Sequence, residues 1–290
     1  LNRLPLPSGR YMQIDHRLTS SVDMLALLAE ACGAPREQAY DAATLGVWLS
    51  SSEEPMTVIL DDLHFGFLRG VDTLDGFQTF SEVVEHAGEK VFWIASFAAQ
   101  PFAFLHWVMR GNLVFRRSIR LPSWTEEAIG QLLDKRTTAS GLRVSFNDLI
   151  VESVPGTGAE TQLVSTIRDY NRLIWHMGQG SPRSALRFWT RSLVPDGSDS
   201  ARVIFFTLPE TRILENLGEV ERFVLAGIIW HDRARIEEVA ESLRYPLAWC
   251  RDAVTRLSEA GILAAVDGYF RVTPLWWPEK IRYLRRKHLV

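Results

Sequence analysis

The sequence of 290 residues contains only two cysteines, Cys32 and Cys250. Neither belongs to a Cys-x-x-Cys pair, which excludes a disulfide framework and paired-cysteine zinc sites and suits a reducing cytoplasm. No HExxH or GxSxG motif occurs, so the sequence gives no support to a metalloprotease or a serine hydrolase. No Gly-Lys pair occurs anywhere either, and the phosphate-binding loop GxxxxGK[ST] is therefore missing.

A large excess of charge of one sign is also missing. The chain has 32 basic and 35 acidic residues, a formal net charge of −3, which excludes a surface built throughout to bind nucleic acid but leaves room for a local basic patch. Residues 91–109 are almost uncharged and about long enough to span a bilayer. Gln100-Pro101 stands at their centre, however, and this pattern predicts a buried strand followed by a helix.

What is present is a folded chain with 47% hydrophobic residues, long enough for two or three domains. In the first part, segments with strand character alternate with segments of helical periodicity. We predict strands at 10–16, 56–60, 91–96 and 118–121, and helices at 22–32, 74–87, 101–110 and 125–138. This alternation predicts a parallel sheet covered by helices on both faces.

After residue 122 the strand pattern nearly stops, and two helices are predicted at 160–177 and 182–193, followed by a linker at 195–200. Three further helices are predicted at 220–230, 236–243 and 246–260. Two short apolar runs then flank the turn Asp267-Gly268, and three helices followed by such a hairpin predict a winged helix-turn-helix. The predicted domains are a partial α/β core at 1–121, an all-α lid at 122–200, a linker or strand at 201–210 and a winged helix at 211–290.

The run Val-Ile-Leu-Asp-Asp at residues 58–62 resembles a Walker B motif. In that motif a buried strand ends by presenting one carboxylate to Mg²⁺, and a second carboxylate orients the attacking water. Asp61 suits the first role and Asp62 the second. The alternative interpretation is an ordinary strand that ends in a solvated pair of aspartates.

Several further pieces follow in the order found in the AAA+ family of ATPases, and together they resemble that family or its signalling-type (STAND-like) relatives. Ser96, at the end of the next strand, stands where the family has its sensor-1 residue. Arg116, with Arg110 behind it, precedes the predicted last core strand, where the family places an arginine that reaches the γ-phosphate of a neighbouring subunit. Arg183 opens a helix in the manner of the sensor-2 motif, and a helix N-terminus favours anions.

The resemblance implies that ATP and Mg²⁺ are bound, that Asp61 holds the metal and that Ser96 and Arg183 sense the γ-phosphate. It also implies a possible homo-oligomer, because Arg116 would act across a subunit interface. The missing phosphate-binding loop departs from the family. Either a longer parent carries the loop within roughly forty residues before Leu1, or the protein is a degenerate member without it. In both cases we expect this chain alone to be a poor ATPase.

The winged helix leaves two kinds of partner open. Residues 211–290 contain 13 basic and 11 acidic side chains, and the presumed recognition helix balances Arg251 and Arg256 against two acidic residues. Phosphate contacts dominate affinity for DNA, so this helix offers little surplus charge for duplex DNA. A basic cluster near the C-terminus can contact phosphates or an acidic protein, and it includes Lys280, Arg285 and Arg286. The alternative function is a non-enzymatic DNA-binding or adaptor protein in which the α/β part is only a scaffold.

Overall fold

The computed structural model describes residues 9–70, 74–110, 114–149, 159–210, 212–277, 283, 284 and 286, with side chains of the helix at 159–178 described from residue 166. The chain forms two compact units. The first is built mainly from Leu1–Ser118 and Gly218–Arg271, and the second from Ile119–Leu217 and Val272–Leu289.

The α/β part of the first unit contains three parallel strands in the order β1-β2-β3. The strands are β1 (Gly9–Gln13), β2 (Met56–Asp61) and β3 (Val91–Ala95). The helices are α1 (Ser21–Cys32), α2 (Ala42–Ser50), α3 (Asp75–Ala87) and α4 (Ala99–Val108). Ser20 caps α1 by accepting a hydrogen bond from the backbone N–H of Asp23, and Gly33 ends it in the left-handed conformation, as the sequence predicts.

The helices α1, α2 and α3 pack against one another and against one face of this sheet. Both crossovers run in the same direction, and because such crossovers are right-handed, their helices fall on the same side. On the other face, the parallel register aligns Tyr11, Ile59 and Ile94, and Phe92 lies beside them. Phe92 is 66% exposed and Ile94 37%. The prediction of helices on both faces is therefore wrong for the part of the chain that the structure describes.

The second unit is helical, as predicted, and also contains a small sheet. Its helices are α5 (Glu126–Ser140), α6 (Ala159–Gly178), α7 (Pro182–Ser192) and α8 (Arg212–Glu215). Its strands are β4 (Arg143–Ser145), β5 (Leu193–Pro195) and β6 (Ser200–Val203), in the order β4-β6-β5. The description "all-α" needs this correction, and the predicted linker at 195–200 contains the turn between β5 and β6, with its first and last residues in those strands. Strands of three or four residues are too short to show a clear two-residue alternation.

The strand predicted at 118–121 is absent, which is a further correction. Ile119 is 87% exposed and Leu121 is 85% exposed, so neither apolar side chain is packed. A strand requires a hydrogen-bonded neighbour, and its side-chain pattern cannot replace one. The sequence pattern therefore identifies a segment with strand character that has no strand partner among the described residues.

The last part of the first unit is a winged helix, in close agreement with the prediction. Its elements are α9 (Glu219–Trp230), β7 (Arg233–Ala234), α10 (Ile236–Leu243), α11 (Leu247–Glu259), β8 (Leu263–Val266) and β9 (Tyr269–Val272). The strands form a sheet in the order β7-β9-β8. Asp267 and Gly268 both have positive φ, as a two-residue hairpin turn requires. The fold is thus a partial parallel α/β core, a mainly helical segment and a winged helix.

Both cysteines are free and buried, and burial raises the pKa of Cys32 to about 12. The uncharged run at 91–109 is divided between β3 and α4. In the described part of the chain, no helix has both the length and the apolar character needed to cross a membrane.

Candidate active site at the carboxyl edge of the sheet

Asp61 ends the central strand β2, and two neighbouring hydroxyl groups hold its carboxylate. Ser96, just beyond β3, donates a hydrogen bond from Oγ to Oδ1 of Asp61. Tyr11 on β1 donates from its phenolic oxygen to Oδ2 over 2.8 Å. Because each carboxylate oxygen accepts one of these bonds and keeps further lone pairs, Asp61 is fixed in place without losing its capacity to bind a cation.

Asp62 follows in the left-handed conformation, with φ 62° and ψ 37°. Its backbone N–H donates to Oγ of Ser96 over 2.9 Å, so one serine hydroxyl orders both aspartates. The side chain of Asp62 is 35% exposed. Burial, followed by the charge of Asp61, raises the pKa of Asp62, while the charge of Arg233 works in the opposite direction. A carboxylate that is partly removed from water beside a second carboxylate favours a counter-ion.

His64 lies directly behind this pair and is 1% exposed. Its Nδ1 lies 3.8 Å from Oδ1 of Asp62 and accepts a long hydrogen bond of 3.4 Å from the backbone N–H of Ala98. Burial, together with the charges of Arg17 and Arg233, lowers the pKa of His64 to about 3. The imidazole is therefore neutral, and its proximity to Asp62 does not form an ion pair.

Two arginines lie in the same region and have different surroundings. The guanidinium of Arg233, on the winged-helix strand β7, lies 3.9 Å from Oδ2 of Asp62 and over the rings of Phe65 and Tyr269, at 4.5 and 5.3 Å. The guanidinium of Arg17 is buried and also lies over Phe65, at 4.5 Å. The winged helix thus contributes a cation to the edge of the sheet that carries Asp61 and Asp62.

Arg17 joins the α/β part to the winged helix. Its Nη1 donates to the backbone carbonyls of His64 and Phe67, over 3.1 and 3.0 Å. Its Nη2 donates to the carbonyl of Arg233 and to a carboxylate oxygen of Glu238, over 3.2 and 3.4 Å. Both terminal nitrogens of Arg17 are therefore engaged in contacts within the protein.

The remaining predicted nucleotide-site residues lie apart from this cluster. Arg116 is exposed at the end of the α/β part of the first unit. Arg183 is exposed in the first turn of α7 in the second unit. Ser181 caps that helix by accepting a hydrogen bond from the backbone N–H of Ser184 over 3.3 Å, as expected for the start of a helix. Of the predicted set, the structure brings together Asp61, Asp62 and Ser96.

The residues predicted to contact nucleic acid or a protein partner differ in their availability. Arg251 is exposed on α11. Arg256 pairs with Glu221 over 2.6 Å, and Arg286 lies 3.9 Å from Glu215. Lys280 and Arg285 lie outside the described residues. The charge available on α11 is thus smaller than its sequence suggests.

Sequence reasoning missed Tyr11, Arg17 and Arg233 as members of this region. For Tyr11 a signal exists, since strand alternation places it on the same face as Gln13, which lies in register with Asp61. Arg233 carries no such local signal, because 171 positions separate it from Asp62.

The residues at this edge fit Mg²⁺ better than a metal held entirely by protein. No group of three or more His, Cys, Asp or Glu side chains in the described residues is placed to hold a metal ion. Mg²⁺ uses oxygen ligands and is usually held by one or two carboxylates together with phosphates and water. Asp61 and Asp62 supply such carboxylates, whereas a glycine-rich phosphate loop is absent from the sequence.

No family model matches the chain, and no curated protein matches it. Among solved structures, the chain is similar to Cdc6p from Pyrobaculum aerophilum, with 16% identity, a TM-score of 0.34 and coverage of 98% of this chain and 81% of that one. It is also similar to the Orc1 protein of Aeropyrum pernix, solved in complex with DNA, with 14% identity, a TM-score of 0.39 and coverage of 96% and 80%. Both TM-scores lie below 0.5, so the functional proposals below depend on the geometry of the site.

Proposed function

We propose that the carboxyl edge of the β1-β2-β3 sheet is the magnesium side of an ATP-binding site of the AAA+ type, in a protein that acts as an ATPase or a nucleotide-dependent switch. The observation that carries this proposal is the fixed carboxylate of Asp61, which receives hydrogen bonds from Ser96 and Tyr11. Ligands of open parallel sheets bind outside the carboxyl ends of the strands, and this edge is where Asp61 and Asp62 lie.

Each residue of the proposed site has a separate role. Asp61 holds the cation, which supplies charge neutralisation at phosphate oxygens when it is bound. Asp62 orients a water molecule. Burial, followed by the charge of Asp61, raises the pKa of Asp62, which makes Asp62 a better proton acceptor for that water. Ser96 ties the two aspartates together through its single hydroxyl. Arg183 and Arg116 remain proposed phosphate-sensing and intersubunit residues.

A complete site of this type also needs a phosphate-binding loop, which the sequence does not contain. Among the described residues, the outer edge of β3 has no strand partner, and Phe92 and Ile94 are exposed on the uncovered face. Exposed apolar side chains on an open sheet favour a further strand and helix at this position. We propose that a β–α unit with the loop packs here, and that the segment 118–121 becomes a strand in its presence.

The first test of the metal site uses the full chain and Mn²⁺ as a probe for Mg²⁺. We expect Asp61→Asn to weaken Mn²⁺ binding by at least about tenfold, since even residues that only support metal ligands contribute about 10–100-fold. Free Mn²⁺ is measured by electron paramagnetic resonance during a titration. The control is Glu30→Gln, which removes the same charge from an exposed position at the end of α1. Equal Mn²⁺ affinity in Asp61→Asn and the wild type would refute the metal site.

Contact between the winged helix and DNA is the second candidate function. It is favoured by the exposed position of Arg251 on α11, the helix that would enter the major groove in this fold. The pairing of Arg256 with Glu221 and the exposed aromatic side chain of Trp249 (54% exposed) favour a protein partner instead. The α/β part then serves only as a scaffold.

A salt-dependence measurement distinguishes DNA from a protein partner. We expect the full chain to bind duplex DNA more weakly than about 1 µM at physiological salt, in the range of non-specific binding. We also expect Arg251→Ala to change the affinity by less than about threefold, since one phosphate contact contributes little to the total. Fluorescence anisotropy at two salt concentrations measures both quantities. Nanomolar binding with a steep salt dependence, lost in Arg251→Ala, would instead establish a DNA-binding role.

A further inference from the structure

Arg233 lies at the proposed metal site with most of its hydrogen-bonding capacity unused. Its guanidinium makes no hydrogen bond to a side chain or carbonyl of the described residues, and its nearest acidic oxygen is Oδ2 of Asp62 at 3.9 Å. That distance is too long for a direct hydrogen bond. The side chain is 19% exposed, so its donors are neither fully satisfied by protein nor freely solvated.

The neighbouring arginine shows what a purely structural role looks like in this fold. Arg17 donates to three backbone carbonyls and to Glu238, and its position is determined by those four acceptors. Arg233 is positioned instead by aromatic faces, since it lies over Phe65 and Tyr269. Aromatic rings fix the plane of a guanidinium without consuming its N–H donors. The donors of Arg233 are therefore held in place for an acceptor that the described residues do not supply.

From this contrast we propose that Arg233 is the anion-binding residue of the site and contacts the phosphate groups of the metal-bound nucleotide. The proposal rests on the metal–nucleotide site proposed above. A guanidinium binds phosphate oxygens through two parallel hydrogen bonds, which an ammonium group cannot reproduce. Because β7 belongs to the winged helix, nucleotide binding then places a charged contact directly on that element.

The position of Arg233 has opposite effects on the binding of a divalent cation and on the binding of phosphate. Without phosphate, its positive charge lies beside Asp62 and competes with a divalent cation for the carboxylate pair. With phosphate present, the charge is attracted to the ligand and strengthens its binding. A residue with only a structural role would change both affinities in the same direction, through the stability of the site.

The experiment compares two affinities in the full chain. We expect Arg233→Gln to tighten the binding of Mn²⁺ alone by about threefold, because a nearby positive charge is removed. We expect the same variant to weaken the binding of ATP in excess Mn²⁺ by about tenfold, because a charge-assisted hydrogen bond to phosphate is lost. Electron paramagnetic resonance measures the first affinity, and equilibrium dialysis with labelled ATP the second. The substitution keeps the backbone carbonyl that accepts from Arg17.

Two further variants complete the test. Arg235→Gln removes the same charge from an exposed arginine that lies over Tyr269 at 4.8 Å, and we expect both of its affinities to stay near those of the wild type. Arg233→Lys keeps the charge but loses the planar guanidinium, so we expect unchanged Mn²⁺ binding and weakened ATP binding.

The outcomes separate the two proposals. Opposite changes in Arg233→Gln, absent from Arg235→Gln, support the role of Arg233. If Asp61→Asn abolishes Mn²⁺ binding but Arg233→Gln changes both affinities in the same direction, or neither, the metal site stands and the role of Arg233 is refuted. If Asp61→Asn leaves Mn²⁺ binding unchanged, the proposed function fails and this inference fails with it. If the wild type binds Mn²⁺ but no ATP at millimolar concentration in excess Mn²⁺, the metal site stands and the role of Arg233 is refuted.

Discussion

Replacing Arg17 by Met is expected to lower the free energy of unfolding of the first unit by about 3–5 kcal/mol, the usual cost of removing one partner from a buried ion pair. The side chains of Arg17 and Glu238 are 8% and 13% exposed. Methionine fills much of the volume but donates no hydrogen bond, so the carboxylate of Glu238 loses its cation. The carbonyls of His64, Phe67 and Arg233 lose their side-chain donor as well.

Hydrogen exchange of peptides that cover β2 and α9 measures this change in both parts of the first unit. We expect both peptides to lose protection together, because Arg17 bonds to each part. The matched control is Arg235→Met, which removes the same charge from an exposed arginine and is expected to cost less than about 1 kcal/mol. The double variant Arg17→Met, Glu238→Met is expected to recover part of the loss. Equal protection in Arg17→Met and Arg235→Met would contradict the structural role of Arg17.

The first unit is also expected to lose about 3–4 kcal/mol of stability between pH 7 and pH 5, because it buries two neutral histidines. Burial is the main cause that lowers the pKa of both His64 and His231 to about 3. His231 donates from Nδ1 to the carbonyl of Gly227 and accepts at Nε2 from the backbone N–H of Arg69. Protonation of Nε2 would remove that acceptor.

The direction of this pH dependence follows from which state, folded or unfolded, binds protons. In the unfolded chain a histidine has a pKa of about 6.5, so the unfolded state takes up protons below that pH while the folded state does not. The stabilisation is fully present above about pH 6.5 and is lost as the pH falls towards the folded pKa of about 3. The raised pKa of Asp62 acts in the opposite direction, but on one partly exposed group.

Urea denaturation at pH 7, 6 and 5, combined with hydrogen exchange of the α9 peptides, measures this dependence. His64→Leu removes one of the two groups and is expected to reduce the slope between pH 6 and pH 5 by about half. His16→Leu, at an exposed position, is expected to leave the slope unchanged. A wild-type stability that does not change between pH 7 and pH 5 would show that these histidines are not buried in the neutral form.

Much of the local structure is predictable because its causes are local. Ser20 caps the N-terminus of α1 and Gly33 ends the helix. The turn Asp267-Gly268 sets the hairpin of the winged helix. The continuous apolar run that ends in Asp61 predicts the buried strand β2. The prediction fails where a strand depends on a neighbour: the strand predicted at 118–121 is absent, and β4 and β5 of the second unit were not predicted.

The candidate site likewise contains residues that the sequence predicts and residues that it does not. Asp61, Asp62 and Ser96 are predictable, because strand order places the carboxyl ends of β2 and β3 side by side. The roles of Arg116 and Arg183 stay predictions. The position of Tyr11 can be predicted from the alternation and register of the strands. Nothing in the local sequence distinguishes Arg17 or Arg233 from any other arginine.

The sequence by itself thus determined most of the helices, the first three strands and their parallel connection, the winged helix and the acidic end of β2. Hydrophobic periodicity, caps and turns act over a few residues, and each can be recognised within a short window. Only the tertiary structure decided that the winged helix belongs to the same unit as the α/β part, that Arg17 is buried between them and that Arg233 lies beside Asp62. These contacts join residues more than 150 positions apart, and they depend on the packing of whole elements, which no local pattern encodes.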